Sequence, residues 1–171
     1  LFRSSAASDV YKRQRLHRII QAFIDTLQTL PSFVYLMPVV MLFRVGDFAA
    51  MLAVVAYAIA PAIRYTDHGI RRVSPHLIEA AVASGCTPRQ ILWKVRLPLA
   101  LPEIMLGVNQ TIMMALSMLV ITALVGPRDL GQEVYIALTK ADSGRGLVAG
   151  ICVAFLAIIS DRLISAWSTR R

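Results

Sequence analysis

Four apolar runs without a charged residue limit what this chain can fold into. They cover Thr26–Phe43, Phe48–Ile63, Ile104–Pro127 and Gly146–Ser160. A membrane-spanning helix needs about 20 apolar residues, so the second and fourth runs need snorkelling charges or shielding by neighbouring helices. The pattern predicts an all-α integral membrane protein, a kinked bundle of transmembrane helices with spans at about 24–43, 47–64, 100–126 and 145–165.

Composition agrees with a membrane protein. Hydrophobic residues make up 57% of the 171 residues and charged residues 16%, whereas a soluble globular domain carries about 25% charged residues. The net charge is +8, but the basic residues lie in short connections and form no stripe, so we expect no nucleic-acid partner. A soluble basic helical protein is the alternative that membrane fractionation would test.

The first 14 residues, LFRSSAASDVYKRQ, differ from the rest of the chain. They are Ser-rich and lack the layout of a signal peptide. We interpret residues 1–14 as a non-native or artefactual leader and residues 15–171 as a partial transmembrane domain.

Every second connection between the spans has an excess of Lys and Arg, and this pattern predicts how the chain is oriented in the membrane. Lys and Arg are in excess before the first span, between the second and third spans, and after the fourth. The connections around Arg44 and from Arg128 to Arg145 balance their basic residues with acidic ones. By the positive-inside rule, the three basic regions, including the C-terminus, are expected in the cytoplasm.

The connection between the second and third spans reads as a pair of short helices, which we call the polar hairpin (residues 74–97). Ser74 precedes Pro75, a pattern typical of an N-cap, and Gly85 occupies the position of a left-handed helix end. Thr87, Pro88 and Gln90 then predict a capping box that starts a second helix, which ends near Arg96. Pro98 and Pro102 are expected to mark re-entry into the membrane.

Two interpretations of the polar hairpin stay open on the residues alone. The small Ala80 and Ala83 beside Glu79 would let another protein approach closely. Alternatively, the hairpin lies on the membrane surface with Trp93, Lys94 and Arg96 as interfacial anchors.

The hairpin also resembles the EAA motif of permease subunits of binding-protein-dependent ABC importers. The match consists of Glu79, Ala80, Ala81, Gly85 and the Leu97–Pro98 pair, with Val95 where the motif usually has Ile. The resemblance implies a type I ABC importer permease fold in which this pair forms coupling helices that dock on an ATPase subunit. It assigns that docking to Glu79, Ala80, Ala81, Gly85, Arg89, Leu97 and Pro98.

Longer stretches resemble the glycine betaine/proline, or quaternary-amine, branch of that family. They are Asp25–Phe43, Leu97–Ile121 and Asp129–Gly150. The resemblance implies a small osmolyte such as glycine betaine, proline or choline as solute, and an earlier span preceding this chain. It also implies an ATPase subunit that binds ATP and Mg, a solute-binding protein, a second permease copy and a bacterial inner-membrane location.

The chain itself offers no catalytic or metal motif. The phosphate loop G-x-x-x-x-G-K-[ST], H-E-x-x-H, C-x-x-C and G-x-S-x-G are all absent from the sequence, so we expect no enzyme activity and no bound cofactor. A permease for another small solute, or a channel or secondary transporter with a regulatory hairpin, is the alternative.

Polar residues of the third span are candidates for a translocation pathway, because polar groups at membrane depth usually face a bundle interior or a water-filled cavity. The candidates are Asn109, Gln110, Ser117 and Thr122. Hydrogen bonding between helices is the alternative role.

Small residues of the fourth span, Gly146, Gly150 and Ala154, form a stripe that predicts close helix packing. The aromatics Phe33, Tyr35 and Tyr57 are scattered, which favours packing over a cage for a quaternary ammonium. Solute recognition is therefore expected mainly in the separate binding protein.

Overall fold

The computed structural model describes residues 18–22, 24–26, 28–126 and 128–169. The proposed leader at residues 1–14, the basic residues at positions 12, 13, 15, 170 and 171, and Pro127 lie outside the described residues. The chain forms two compact units, residues 1–31 and 32–171. In the first, the described residues 18–22, 24–26 and 28–29 are helical.

The second unit is built from seven α-helices in its described residues. They are α1 (Ser32–Phe43), α2 (Asp47–Arg72), α3 (Pro75–Ala83), α4 (Pro88–Ile91), α5 (Leu97–Thr122), α6 (Leu130–Thr139) and α7 (Ser143–Thr169). A π-helical turn (Leu92–Arg96) joins α4 to α5, and a 3-10 turn (Ala123–Val125) follows α5. The expected all-α architecture is confirmed.

Three helical stretches are long and apolar enough to cross a membrane: Asp47–Arg72, Pro88–Val125 and Ser143–Trp167. Helix α1 is apolar but has only 12 residues, a length of about 18 Å against a hydrocarbon core of about 30 Å. The helix begins only after Pro31, where the backbone is not helical. Helix α2 extends to Arg72, past the residue 64 expected from the apolar run.

Pro98 and Pro102 do not interrupt the chain where it was expected to re-enter the membrane. Pro88–Val125 is helical throughout its 38 residues, so the second hairpin helix and the third span are continuous. The π turn lies directly before Pro98, and Leu97 N–H donates to Leu92 O across it. Proline lacks an N–H donor, and its ring clashes with the preceding turn of a regular α-helix. The wider π turn accommodates both without ending the helix.

Helices α2 and α5 approach each other closely at two glycines. A Cβ added to Gly69 would lie 2.8 Å from Glu103 Cβ, and one added to Gly107 would lie 2.7 Å from Tyr65 Cβ. Each helix therefore supplies one glycine that receives a side chain of the other. Beside these glycines, Pro61 and Ala100 are also buried, which makes this pair the core of the unit.

Helix α6 turns the chain between α5 and α7. Asp129 caps it by accepting from Gln132 N–H at 2.9 Å, and a Cβ on Gly131 would collide with the Leu119 backbone. Arg145 at the start of α7 pairs with Glu133 of α6 at 2.6 Å. Most of α7 is exposed in this chain, including Ile151, Phe155 and Ile159.

Candidate functional site

The first helix of the polar hairpin begins at Pro75 but lacks the expected side-chain cap. Ser74 holds the N-cap position that the sequence predicts, but its side chain makes no hydrogen bond there. Its carbonyl accepts from Leu77 N–H at 3.1 Å instead. Pro75 has no N–H, which reduces by one the donors that a side chain would have to satisfy.

The turn between the two hairpin helices is a Schellman motif. Gly85 has a φ of 77°, the left-handed conformation that the sequence predicts and that glycine adopts without steric cost. Gly85 N–H donates to Val82 O at 2.9 Å, and Cys86 N–H donates to Ala81 O at 3.0 Å. These two bonds satisfy the last carbonyls of α3 and fix the direction in which the chain leaves it.

The second hairpin helix starts with the capping box that the sequence predicts. Gln90 N–H donates to Thr87 Oγ1 at 3.4 Å, and Thr87 N–H donates to Gln90 Oε1 at 2.8 Å. Thr87 and Gln90 are both exposed, so this box is maintained by local contacts alone. The hairpin is thus defined by its own turn chemistry.

The residues proposed for coupling form an exposed surface on this frame. Glu79 is 77% exposed and lies 3.9 Å from His76 Nδ1. Ala80, Gly85, Arg89 and Pro98 are exposed, Leu97 is half-buried, and Ala81 is buried. Apart from Ala81 and Leu97, the structure leaves these residues open to another macromolecule.

Apolar side chains extend the exposed surface of the hairpin. Leu77 is 48% exposed and Val82 is 58% exposed. Behind them, a small cavity of about 180 Å³ separates α3 from α4 and is lined by Ile78, Pro88, Ile91, Leu92 and Arg96. Trp93 and Lys94 are exposed, as membrane-surface anchors would be, whereas Arg96 is half-buried.

The four pathway candidates of α5 divide into three environments. Asn109 Nδ2 donates to Asp161 Oδ1 of α7 at 2.6 Å, which is the alternative role of bonding between helices. Gln110 and Ser117 are exposed, and Ser117 Oγ donates to Met113 O of its own helix. Thr122 is 1% exposed and donates to Leu119 O.

An open groove of about 350 Å³ lies between α2 and α5 at the end far from the hairpin. Its lining is mostly apolar and includes Met51, Val54 and Leu119, with Thr122 and Asp47 among the polar residues. Thr122 is therefore near an opening, but its hydroxyl is already used within α5.

The small residues of α7 do not share one environment. A Cβ on Gly146 would lie 3.3 Å from Ala137 Cβ of α6, so this position packs against a helix. Gly150 has open space among the described residues, and Ala154 is exposed.

The membrane aromatics include one packed pair. Tyr35 of α1 and Tyr57 of α2 meet edge to face with centroids 5.6 Å apart. This geometry is typical of aromatic packing between helices, and Phe33 is exposed.

Sequence reasoning missed two polar contacts between helices. Asp161 of α7 bonds to Asn109, and Glu103 of α5 pairs with Arg72 of α2 at 3.0 Å. Both acidic residues lie at the end of an apolar run, and this position could have identified them as candidates for polar contacts between helices. No periodicity in one helix predicts the partner on another.

Long apolar helices joined by an exposed, capped hairpin are the features of a membrane-embedded component. The chain belongs to the family of binding-protein-dependent transport system inner membrane components, whose sequence model matches residues 4–171. That match includes part of the segment at residues 1–14. Membership makes this chain a transport permease component of the inner membrane and not a catalytic enzyme.

Individual proteins that are similar to this chain are also transport permeases. The chain is 45% identical over 159 residues to the glycine betaine/carnitine transport permease protein GbuB of Listeria monocytogenes, covering 93% of this chain and 56% of GbuB. It is 47% identical over 152 residues to the glycine betaine/proline betaine transport system permease protein ProW of Escherichia coli, covering 89% of this chain and 43% of ProW. The chain thus spans about half the length of these relatives.

Solved structures of similar shape include an inward-facing conformation of the MetNI methionine ABC transporter. The TM-score is 0.76 at 23% sequence identity, with 89% of this chain and 76% of that chain covered. The likeness shows that the described helices adopt an ABC importer permease fold.

Proposed function

We propose that this chain is part of the permease subunit of an ABC importer that moves a small osmolyte, such as glycine betaine, proline or choline, across the cytoplasmic membrane. The observation that carries the proposal is the exposed polar hairpin, whose second helix is continuous through the π turn with the third span. A displacement of the hairpin surface is thereby passed directly to a membrane helix.

In this proposal the hairpin lies in the cytoplasm and docks on an ATPase subunit. The basic residues Arg71, Arg72 and Arg89 near the hairpin favour the cytoplasmic side, and the C-terminus then lies on the same side. ATP binding and hydrolysis in the partner would move the hairpins of two permease copies. Glu79, Ala80 and Arg89 supply the docking surface because they are exposed and held on a capped frame.

The solute class is inferred from relatives named for glycine betaine, carnitine and proline betaine transport. Tyr35 and Tyr57 pack edge to face against each other, and not side by side around a common space as in a cage for a quaternary ammonium. A separate binding protein therefore performs most of the solute recognition.

Transport of labelled glycine betaine tests the proposal in vesicles containing the full-length permease, its ATPase and its binding protein. We expect Glu79→Lys and Gly85→Trp to abolish most ATP-driven uptake while membrane insertion stays normal. Lys140→Glu, a charge reversal at another exposed residue outside the hairpin, should transport normally and serves as the matched control.

Two results would contradict the proposal. Normal uptake by both hairpin variants would remove the coupling role. Uptake of the same size in vesicles that lack any ATPase would indicate a channel or a secondary transporter with a regulatory hairpin.

A further inference from the structure

Asp161 is an acidic residue inside the last membrane helix. It follows an apolar stretch containing Phe155, Ile158 and Ile159 and is half-buried. A carboxyl group at membrane depth is costly and is usually found paired and facing other helices. Its partner is Asn109 of α5, 52 residues away in the chain, with Nδ2 and Oδ1 2.6 Å apart.

The chemistry of this pair fixes the orientation of the Asn109 amide. The NH₂ group of Asn109 donates this bond, and a carboxyl oxygen of Asp161 accepts it. Asn109 Oδ1 is then buried with no partner among the described residues. Leaving a buried acceptor unpaired is unfavourable, and in this orientation the amide makes its 2.6 Å bond to the Asp161 carboxyl group.

The pair is one part of a longer contact between α5 and α7. Ala157 and Ile164, about one helical turn from Asp161 on the same face of α7, are half-buried. Apolar packing therefore accompanies the hydrogen bond. On another face, α5 is held to α2 by Gly107, which receives Tyr65.

The rotation of α5 determines where its other polar residues point. Successive helical residues are separated by about 100°, and residues seven apart share a face. Gln110 directly follows Asn109, and Ser117 is seven residues beyond Gln110. With Asn109 held toward α7, Gln110 and Ser117 both lie on the exposed face of α5.

We propose that Asp161 is a positioning residue that, through its hydrogen bond with Asn109, sets the rotation of α5 together with the Gly107–Tyr65 contact, and so the direction in which Gln110 and Ser117 face. The importance of that face rests on the proposed transport function. The hydrogen bond and the rotation do not depend on it.

A double-mutant cycle on the full-length permease in detergent tests the pair. We expect Asn109→Leu and Asp161→Leu each to lower the melting temperature by roughly 3–6 °C, and the double variant to lose no more than the worse single one. Arg162→Leu removes an exposed charge from the next residue of α7 and should have a smaller effect. Additive losses would overturn the proposed pairing.

The rotation is measured separately with a nitroxide attached to Gln110→Cys or Ser117→Cys. Cys86 and Cys152, which are free thiols, are first replaced by Ala. The ratio of label accessibility to a water-soluble nickel chelate and to oxygen reports whether the residue faces water or lipid. We expect Asp161→Leu to change this ratio severalfold, while Asp161→Asn, which can still accept from Asn109, and Arg162→Leu preserve it.

The possible outcomes distinguish the positioning role of Asp161 from the pathway role of Gln110 and Ser117. An unchanged ratio in Asp161→Leu despite a lower melting temperature would overturn the positioning role and leave a purely stabilising contact. If both labels already face lipid in the parent protein, the pathway role of Gln110 and Ser117 fails. A shift of the ratio in Asp161→Leu would then still support the rotation.

Discussion

The polar hairpin and the α2–α5 pair are held in shape by opposite means. In the hairpin, each defining contact joins residues close in sequence, such as Thr87 with Gln90 and Cys86 with Ala81. In the helix pair, the defining contacts join distant residues, such as Gly107 with Tyr65 and Gly69 with Glu103.

Because of this difference, we expect the two regions to behave differently. A surface made by local turn chemistry keeps its shape while its outer side chains stay exposed, as that of Glu79 does at 77%. A pair of helices in close contact moves as one body, because packed interiors do not deform continuously. The comparison predicts that substitutions in the pair affect global stability and those in the hairpin affect local order.

The largest effect is expected in the helix pair. Gly107→Ala places a Cβ 2.7 Å from Tyr65 Cβ, and overpacking of this kind costs about 2 kcal/mol. Gly150→Ala is the matched control, because it also lies within a helix but has open space and should gain up to about 1 kcal/mol of helix propensity. Thermal unfolding in detergent measures both, and equal shifts would contradict the close contact.

The next effect is expected at the hairpin turn. Gly85→Ala forces a Cβ into a left-handed conformation with φ of 77° at a cost of about 1 kcal/mol. Gly85→Asn should cost less, since Asn tolerates this conformation better. Hydrogen exchange of residues 75–96 measures the change, which should be local. An equal increase in the exchange of α2 amides would break the distinction between the two regions.

The two helix starts of the hairpin should respond differently to the same kind of change. Thr87→Ala removes the capping box and should weaken protection of α4 by about 1 kcal/mol. Ser74→Ala should have almost no effect, because the Ser74 side chain makes no capping bond. Similar losses from both substitutions would show that Ser74 caps α3 after all.

The smallest effect is expected at the ion pair between α2 and α5. Arg72 is 70% exposed and Glu103 is 24% exposed, and such pairs contribute about 0–1 kcal/mol. Arg72→Gln should therefore change the melting temperature less than Gly107→Ala. A larger loss would mean that charge, and not close packing, holds this helix pair together.

The hairpin shows how far sequence reasoning reaches. The left-handed Gly85 and the capping box of Thr87 were predicted correctly, because proline, glycine and capping residues act on their near neighbours. Ser74 was predicted as an N-cap from the same kind of pattern and holds that position, but its side chain makes no capping bond. The adjacent Pro75 and the backbone carbonyl of Ser74 meet the requirements of that helix start.

The membrane helices show where sequence reasoning stops. Prolines at positions 98 and 102 favoured a break, yet the π turn of Leu92–Arg96 allows one continuous helix. Small residues in α7 predicted packing along a stripe, but among the described residues Gly146 meets another helix and Gly150 does not. The environment of each residue depends on residues of other helices, which the sequence of its own helix does not predict.

The sequence by itself determined the class of this protein: apolar runs, balanced and basic connections, and a hairpin with its own turn signals. These features follow from hydrophobic transfer and local backbone preference, which act over a few residues. The tertiary structure decided which polar residues meet, such as Asn109 with Asp161 and Arg72 with Glu103. Helical periodicity defines the face of each helix, whereas only packing between helices determines what that face contacts.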